Sequence, residues 1–116
     1  MTKKQIKNKI AKLIKQTKQL EIKQDTLNVK ADRFENYESA TDDALTVLRR
    51  AIKEQFVKQY DPEVETYLED KILEYRDKYS EAEEKSIEIK EKIEDIECEI
   101  DELKDQLRGA KNEKWH

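Results

Sequence analysis

Few side chains in this sequence could carry out catalysis or bind a metal ion. The chain has one histidine, His116, which is its last residue, and one cysteine, Cys98. A histidine-based triad therefore cannot be assembled, and an internal disulfide is excluded. Gly109 is the single glycine, so the sequence has no glycine-rich loop that could hold a phosphate group.

Acidic residues are numerous, and carboxylates can bind metal ions. Four glutamates lie close together along one predicted helix, and helical bundles use such clusters in di-iron sites. They are Glu81, Glu84, Glu88 and Glu91. Such sites also need Glu-x-x-His pairs, and the sequence contains none. We interpret these glutamates as a solvated acidic face. We therefore predict a protein that is not an enzyme and that uses no cofactor and no metal.

The elements that position these side chains are predicted by a long apolar repeat. Apolar residues recur at steps of three and four on both sides of Asp61-Pro62, from Ile6 to Ile52 and from Leu68 to Ala110. Such spacing is typical of a coiled-coil helix that needs a partner helix along its length. The Asp-Pro step is the place where the chain turns back most easily. The sequence predicts an all-α fold, a long antiparallel two-helix hairpin.

The bounds of the two helices follow from capping residues. We predict one domain over 1–116, with helix 1 from about residue 3 to about 59, a turn at 60–62, helix 2 from 62 to about 109, and a frayed tail over 110–116. Asp61 is placed to cap helix 2, Pro62 to begin it and Gly109 to end it. Residues 37–43 also look like a helix start, with Ser39 or Thr41 as the cap. The sequence leaves open a kink or break near 37–41, which would divide helix 1.

The charge distribution agrees with chain reversal. Charged residues make up 45% of the chain, and the net charge is −4. Residues 1–30 carry nine lysines and two acids, whereas residues 81–110 carry twelve acids and five basic residues. A hairpin places these two segments side by side. Individual exposed pairs are weak, but the pattern specifies antiparallel pairing.

The aromatic residues concentrate near the predicted turn. All but Trp115 lie between residues 34 and 79, and several apolar residues there lie off the two-helix seam. One hairpin cannot bury all of them, and exposed apolar surface with a charged rim is typical of protein interfaces. We predict a protein interface formed by Phe34, Tyr37, Leu48, Phe56, Tyr60, Tyr67, Leu73 and Tyr75. The alternative is that the hairpin thickens locally and buries these residues itself.

Binding of nucleic acid or a membrane surface is a weaker interpretation. The basic segment contains lysines but no arginine before Arg33, and no aromatic residue is interleaved with them. Its apolar residues Ile6, Ile10 and Leu13 are needed for the seam. No apolar run is long enough to span a bilayer, and the lysines at the N-terminus are not followed by the continuous apolar segment of an ordinary secretory signal. We expect synthesis in the cytoplasm, no stable membrane insertion and no nucleic-acid partner.

The chain combines four features: a Lys-rich start, a turn near the middle, aromatic residues around that turn and an acidic Ile/Leu repeat. In particular, the stretch from Phe56 to Leu107 contains FVKQYDPEVETYLEDKILEYRDKY and EKIEDIECEIDELKDQL. In this layout the chain resembles the small helical-hairpin proteins of Gram-positive type VII secretion, especially the partners of LXG-domain toxins. The Trp-x-Gly turn signature of the related WXG proteins is absent.

The resemblance implies a chaperone-like targeting factor that pairs with the N-terminal helical domain of an LXG-type toxin. A second small helical protein is a further candidate partner. The resemblance also implies an export signal of the form Tyr-x-x-x-Asp/Glu, for which Tyr79 and Glu83 are the candidates. Export together with the cargo stays open. The alternative hypothesis is a self-associating structural coiled coil, or a regulatory protein of a mobile element, that acts as a four-helix homodimer.

Overall fold

The chain is an all-α helical hairpin, which confirms the predicted fold class. The computed structural model describes residues 1–55 and 61–113. Within these residues two long helices, α1 (Lys3–Lys53) and α2 (Pro62–Glu113), account for the secondary structure, and no β-strand is present. Residues 56–60 and 114–116 lie outside the described residues, and they include the predicted interface residues Phe56 and Tyr60, the second of which is the first residue of the predicted turn at 60–62.

The two helices contact each other in two compact units. The terminal unit consists of Met1–Thr26 and Lys85–His116, and the central unit consists of Leu27–Glu84. Each unit therefore contains one segment of α1 and one segment of α2.

The core of the terminal unit is a narrow seam of aliphatic side chains. Ile6 and Leu13 of α1 pack with Ile100 and Leu103 of α2, and each of the four is at most 9% exposed. Lys9 Nζ lies 3.3 Å from Glu99 Oε1, so the lysine-rich start of the chain lies beside the acidic part of α2. Antiparallel pairing of the two charge blocks is observed here.

The core of the central unit uses smaller side chains. Its buried apolar residues are Ala31, Leu45, Ile72 and Ala82. Phe34, Leu48, Leu68, Tyr75 and Tyr79 are half-buried beside them. Because alanine fills little volume, the aromatic side chains supply much of the apolar area between the helices in this unit.

Each helix begins with a side-chain cap. Thr2 Oγ1 accepts a hydrogen bond from the Gln5 amide at 3.2 Å, and Gln5 Oε1 accepts one from the Thr2 amide at 2.9 Å, which is a capping box. At the start of α2, Asp61 Oδ1 accepts a hydrogen bond from the Glu63 amide at 2.9 Å. Asp61 therefore caps α2, and Pro62 occupies the first helical position, where its missing amide hydrogen costs nothing.

Helix α1 is continuous through 37–41 and ends earlier than predicted. Thr41 does not cap a helix there, since its hydroxyl donates a hydrogen bond to the Tyr37 carbonyl at 2.7 Å. The predicted end at 59 is wrong: α1 ends at Lys53, and Gln55 adopts a left-handed φ of 63°. A left-handed residue directs the chain out of the helix. Arg50 and Lys53 stabilise this end through the helix dipole.

Helix α2 ends later than predicted. The sequence suggested that Gly109 would terminate it, but Gly109 lies inside the helix and its φ is negative. The helix continues through residues 110–113, which were predicted to belong to a frayed tail. Residues 110–113 (Ala-Lys-Asn-Glu) include good helix formers, and they outweigh the poor helix propensity of one glycine.

Replacement of Gly109 by Ala should stabilise the helix. A Cβ atom built at Gly109 meets no atom within 4 Å, so alanine adds no clash and restricts the unfolded chain. We expect the free energy of unfolding to rise by about 0.5–1 kcal/mol in urea titrations followed by circular dichroism. A loss of stability of that size would instead mean that Gly109 is a left-handed helix terminator.

Candidate protein-interaction site

One side of the central unit is covered by ion pairs between the helices. Arg49 of α1 donates hydrogen bonds to Glu65, at 2.7 Å, and to Glu69 of α2. Arg76 of α2 donates to Glu38 of α1 at 2.9 Å. Glu65 and, to a lesser degree, Glu69 raise the pKa of Arg49, which stays protonated. We call this surface the ion-paired side.

The other side of the central unit is apolar and exposed, and we call it the apolar side. Tyr37 is 46% exposed, Val47 63%, Val64 48% and Tyr67 59%. The apolar side consists of Tyr37, Ala40, Ala44, Val47 and Ala51 of α1 and Val64 and Tyr67 of α2, and all of these except the half-buried Ala51 are exposed. Its α1 residues follow each other at steps of three and four, so they form a second stripe along the helix beside the one that packs on α2.

Three aromatic rings connect the two helices at one end of the apolar side. The Phe34 and Tyr37 ring centroids are 6.3 Å apart in an edge-to-face arrangement, and the Tyr37 and Tyr75 centroids are 5.5 Å apart. Phe34 and Tyr75 are stacked at 6.4 Å. Phe34 and Tyr75 are half-buried by this packing. The predicted interface residues Phe34, Tyr37 and Tyr75 are therefore brought together, with Tyr37 as the exposed member.

Lysines flank the aromatic rings of this side. Lys78 Nζ lies 5.6 Å from the Phe34 ring centroid, and Lys71 Nζ lies 5.7 Å from that of Tyr67. Both lysines also contact Glu74, at 3.0 Å each. Hydrogen bonds from Lys71 and Lys78 lower the pKa of Glu74, and the hydrogen bond to Glu74 raises the pKa of Lys71. The rim of the apolar side thus carries two lysines, and the Glu74 carboxylate balances the charge of one of them.

The remaining predicted interface residues are distributed differently. Leu48 is half-buried between the helices, whereas Leu73 is 55% exposed. Leu73 lies one helical turn from both Glu69 and Arg76, so it belongs to the ion-paired side and not to the apolar side. Tyr67 lies on the apolar side. Phe56 and Tyr60 are outside the described residues.

The two residues of the candidate export signal interact within α2. Tyr79 and Glu83 are one turn apart, and Tyr79 is half-buried. The negative charge of Glu83 raises the pKa of the Tyr79 phenol, and burial and the charges of Glu35 and Asp32 act in the same direction. A hydrogen bond to Glu83 adds a smaller contribution. Both residues lie inside a helix and not in a chain terminus.

Removal of the Glu83 charge should lower the pKa of Tyr79. Because the pKa of Tyr79 is higher in the folded chain than in the unfolded chain, the folded state is favoured most at pH values below the unfolded-state pKa of tyrosine. This contribution to stability is lost as the pH rises through the folded-state pKa. We expect Glu83→Gln to move the Tyr79 transition to lower pH in an alkaline NMR titration. Glu84→Gln, which changes the exposed neighbour, is the matched control. An unchanged Tyr79 transition in Glu83→Gln would contradict the observed interaction.

The sequence interpretation missed part of the apolar side. Ala40 and Ala44 are exposed and continue the stripe between Tyr37 and Val47, but neither was predicted as a site residue. Their three-four spacing was the available signal. Alanine is also the best helix former, so its presence on a helix surface does not by itself indicate an interface.

Other kinds of site find no support in the described residues. Within 1–55 and 61–113, no group of three or more His, Cys, Asp or Glu side chains is placed to hold a metal ion. Cys98 is exposed and forms no disulfide. No stretch of α1 or α2 that the structure describes is long and apolar enough to cross a bilayer.

Comparisons with known protein families, with curated proteins and with solved structures found no match to this chain.

Proposed function

We propose that this chain is a non-enzymatic binding protein that pairs with helices of another protein through its apolar side. The observation that supports this most directly is the second stripe on α1, which carries heptad-like spacing but is left uncovered by α2. An exposed stripe of this kind gains free energy when a helix packs on it, because apolar area is removed from water. Exposed Tyr37 and Tyr67 are the residue type that dominates the centres of protein interfaces.

The partner that we propose is the N-terminal helical domain of an LXG-type toxin. The support for this choice is the sequence resemblance to toxin partners of type VII secretion, including the stretch from Phe56 to Leu107. In this role the chain would act in the cytoplasm as a chaperone-like targeting factor. It would cover the apolar helices of the toxin before export.

The charges around the apolar side restrict which helices fit. Lys71 and Lys78 line the α2 edge, and Lys30 Nζ lies 6.0 Å from the Phe34 ring centroid, at the same end as Lys78. A docking helix with acidic residues along its flanks would pair with these lysines. Such rim contacts influence the rate of association and the choice of partner more than the affinity.

The experiment that tests this proposal is co-expression of the tagged chain with the N-terminal helical domain of an LXG-type toxin from the same host. We expect both chains to copurify and to elute as one complex in size-exclusion chromatography with light scattering. Recovery of the tagged chain without any toxin domain would contradict the proposal.

A further inference from the structure

We infer that a second copy of this chain covers the apolar side when no other partner is bound, with its α1 antiparallel to the α1 of the first copy. This inference rests on the proposed function in one respect, namely that the apolar side is a surface for docking helices. The inference identifies what covers that surface before the cargo binds. The second copy would compete with the cargo and so regulate access to the same site. The whole surface lies within the central unit, Leu27–Glu84.

The stripe on α1 is complementary to itself. Two antiparallel helices with three-four spacing pair their stripes in alternating layers. One register places Ala40 against Ala51 of the second copy and Ala44 against Val47 of the second copy, and the two-fold axis repeats both layers. Every layer contains at least one alanine, so the two helices can approach closely without a steric clash.

Charges beside the stripe select this register. Asp43 and Arg50 are both exposed and lie along the edge of the stripe that faces away from α2. Neither residue forms an ion pair within the part of the chain that the structure describes. The register above brings Asp43 beside Arg50 of the second copy, twice per dimer. The neighbouring register, in which Ala40 meets Ala44, would bring the two Asp43 carboxylates together, and like charges in that position are unfavourable.

The α2 residues on the same side also fit this arrangement. Because Arg49 contacts Glu65 and Glu38 contacts Arg76, the middle of the α1 stripe lies level with Tyr67. Tyr67 of each copy would therefore lie at about the level of the two-fold axis along the bundle. The result is a closed four-helix bundle, in which a symmetric interface leaves no surface for continued assembly.

The test is a charge exchange measured by analytical ultracentrifugation over a micromolar-to-millimolar concentration series. We expect the unmodified chain to be a reversible dimer. Asp43→Arg and Arg50→Asp each turn two attractive pairs into repulsive ones, so each should weaken the dimer about tenfold. The double variant Asp43→Arg/Arg50→Asp restores both pairs and should recover most of the affinity. Asp25→Arg makes the same charge change elsewhere on α1 and should have no effect.

Rescue by the double variant separates a specific contact from damage to the helix. Arg50→Asp also places an acid in the last turn of α1, which the helix dipole disfavours, but the double variant retains that change. A chain that is monomeric at every concentration would overturn the inference, as would a dimer that the two single reversals do not weaken. Neither result affects toxin binding. Conversely, a dimer with the predicted charge dependence and no affinity for any toxin domain would leave the inference standing and contradict the proposed function.

Discussion

Replacement of Tyr67 by Asp should strongly weaken binding of the proposed partner, the toxin domain, and leave the helical content unchanged. Tyr67 is 59% exposed, so the substitution removes little internal packing. In the complex it would place a carboxylate within a desolvated apolar contact. Truncation of a central aromatic residue typically costs 2 kcal/mol or more, so we expect the affinity to fall at least about thirtyfold. Isothermal titration calorimetry of the copurified partners measures this change, and circular dichroism measures the helical content.

Leu73→Asp is the matched control for this prediction. Leu73 is 55% exposed, lies on the same helix and receives the same charge, but it belongs to the ion-paired side. We expect its affinity for the partner to stay close to that of the unmodified chain. Equal losses for the two variants would show that the partner does not bind through the apolar side. Loss of helical content in Tyr67→Asp would instead place Tyr67 in the core.

Replacement of Leu103 by Ala should cause a large loss of stability. Leu103 is 4% exposed and packs with Ile6, Leu13 and Ile100 in the terminal unit. Leucine-to-alanine substitutions in cores cost about 2–5 kcal/mol, and we expect the lower part of that range because a narrow two-helix seam relaxes easily around a cavity. Urea unfolding followed by circular dichroism provides the free energy of unfolding.

Ile87→Ala is the control for the seam. Ile87 also lies on α2 but is 51% exposed, so its replacement should change the free energy of unfolding by no more than about 0.5 kcal/mol. If Leu103→Ala were as mild as Ile87→Ala, the observed seam would not be the structure that stabilises the hairpin.

The architecture was largely predictable from the sequence, because a single physical pattern specifies it. Apolar residues at three-four spacing define a helix with one buried stripe, and the only proline follows a good capping residue. Ile6, Leu13, Ile100 and Leu103 are buried as that pattern requires. The opposed charge blocks added the antiparallel direction, and the Lys9–Glu99 contact shows it.

The helix ends were less predictable, since they depend on small differences in local free energy. At the end of α1 the left-handed residue is Gln55, whereas glycine or asparagine would have marked the position in the sequence. Near the end of α2 the sequence is misleading in the other direction, because Gly109 is typical of a helix end but α2 continues to Glu113. One unfavourable residue costs about 1 kcal/mol, which a few neighbouring helix formers offset.

The candidate site was predictable only in part. Tyr37 and Tyr67 were recognised because the aromatic residues concentrate between residues 34 and 79, in greater number than one hairpin can bury. The ion pairs from Arg49 and Arg76 were not recognised, yet they determine which side of the central unit is polar. Leu73 was therefore grouped with residues of the apolar side, although it lies on the ion-paired side. The geometry of helix pairing decides which flank of α1 lies beside which flank of α2. The spacing of residues in the sequence does not specify this geometry.

The most direct test of the central claim is affinity capture of the tagged chain from its native host, with the bound proteins identified by mass spectrometry. Tagged Tyr67→Asp and Leu73→Asp variants are captured in parallel. Our account predicts one large protein with a helical LXG-type N-terminus bound to the unmodified chain and to Leu73→Asp, and absent from Tyr67→Asp. Recovery of the tagged chain alone, without such a protein, would contradict it.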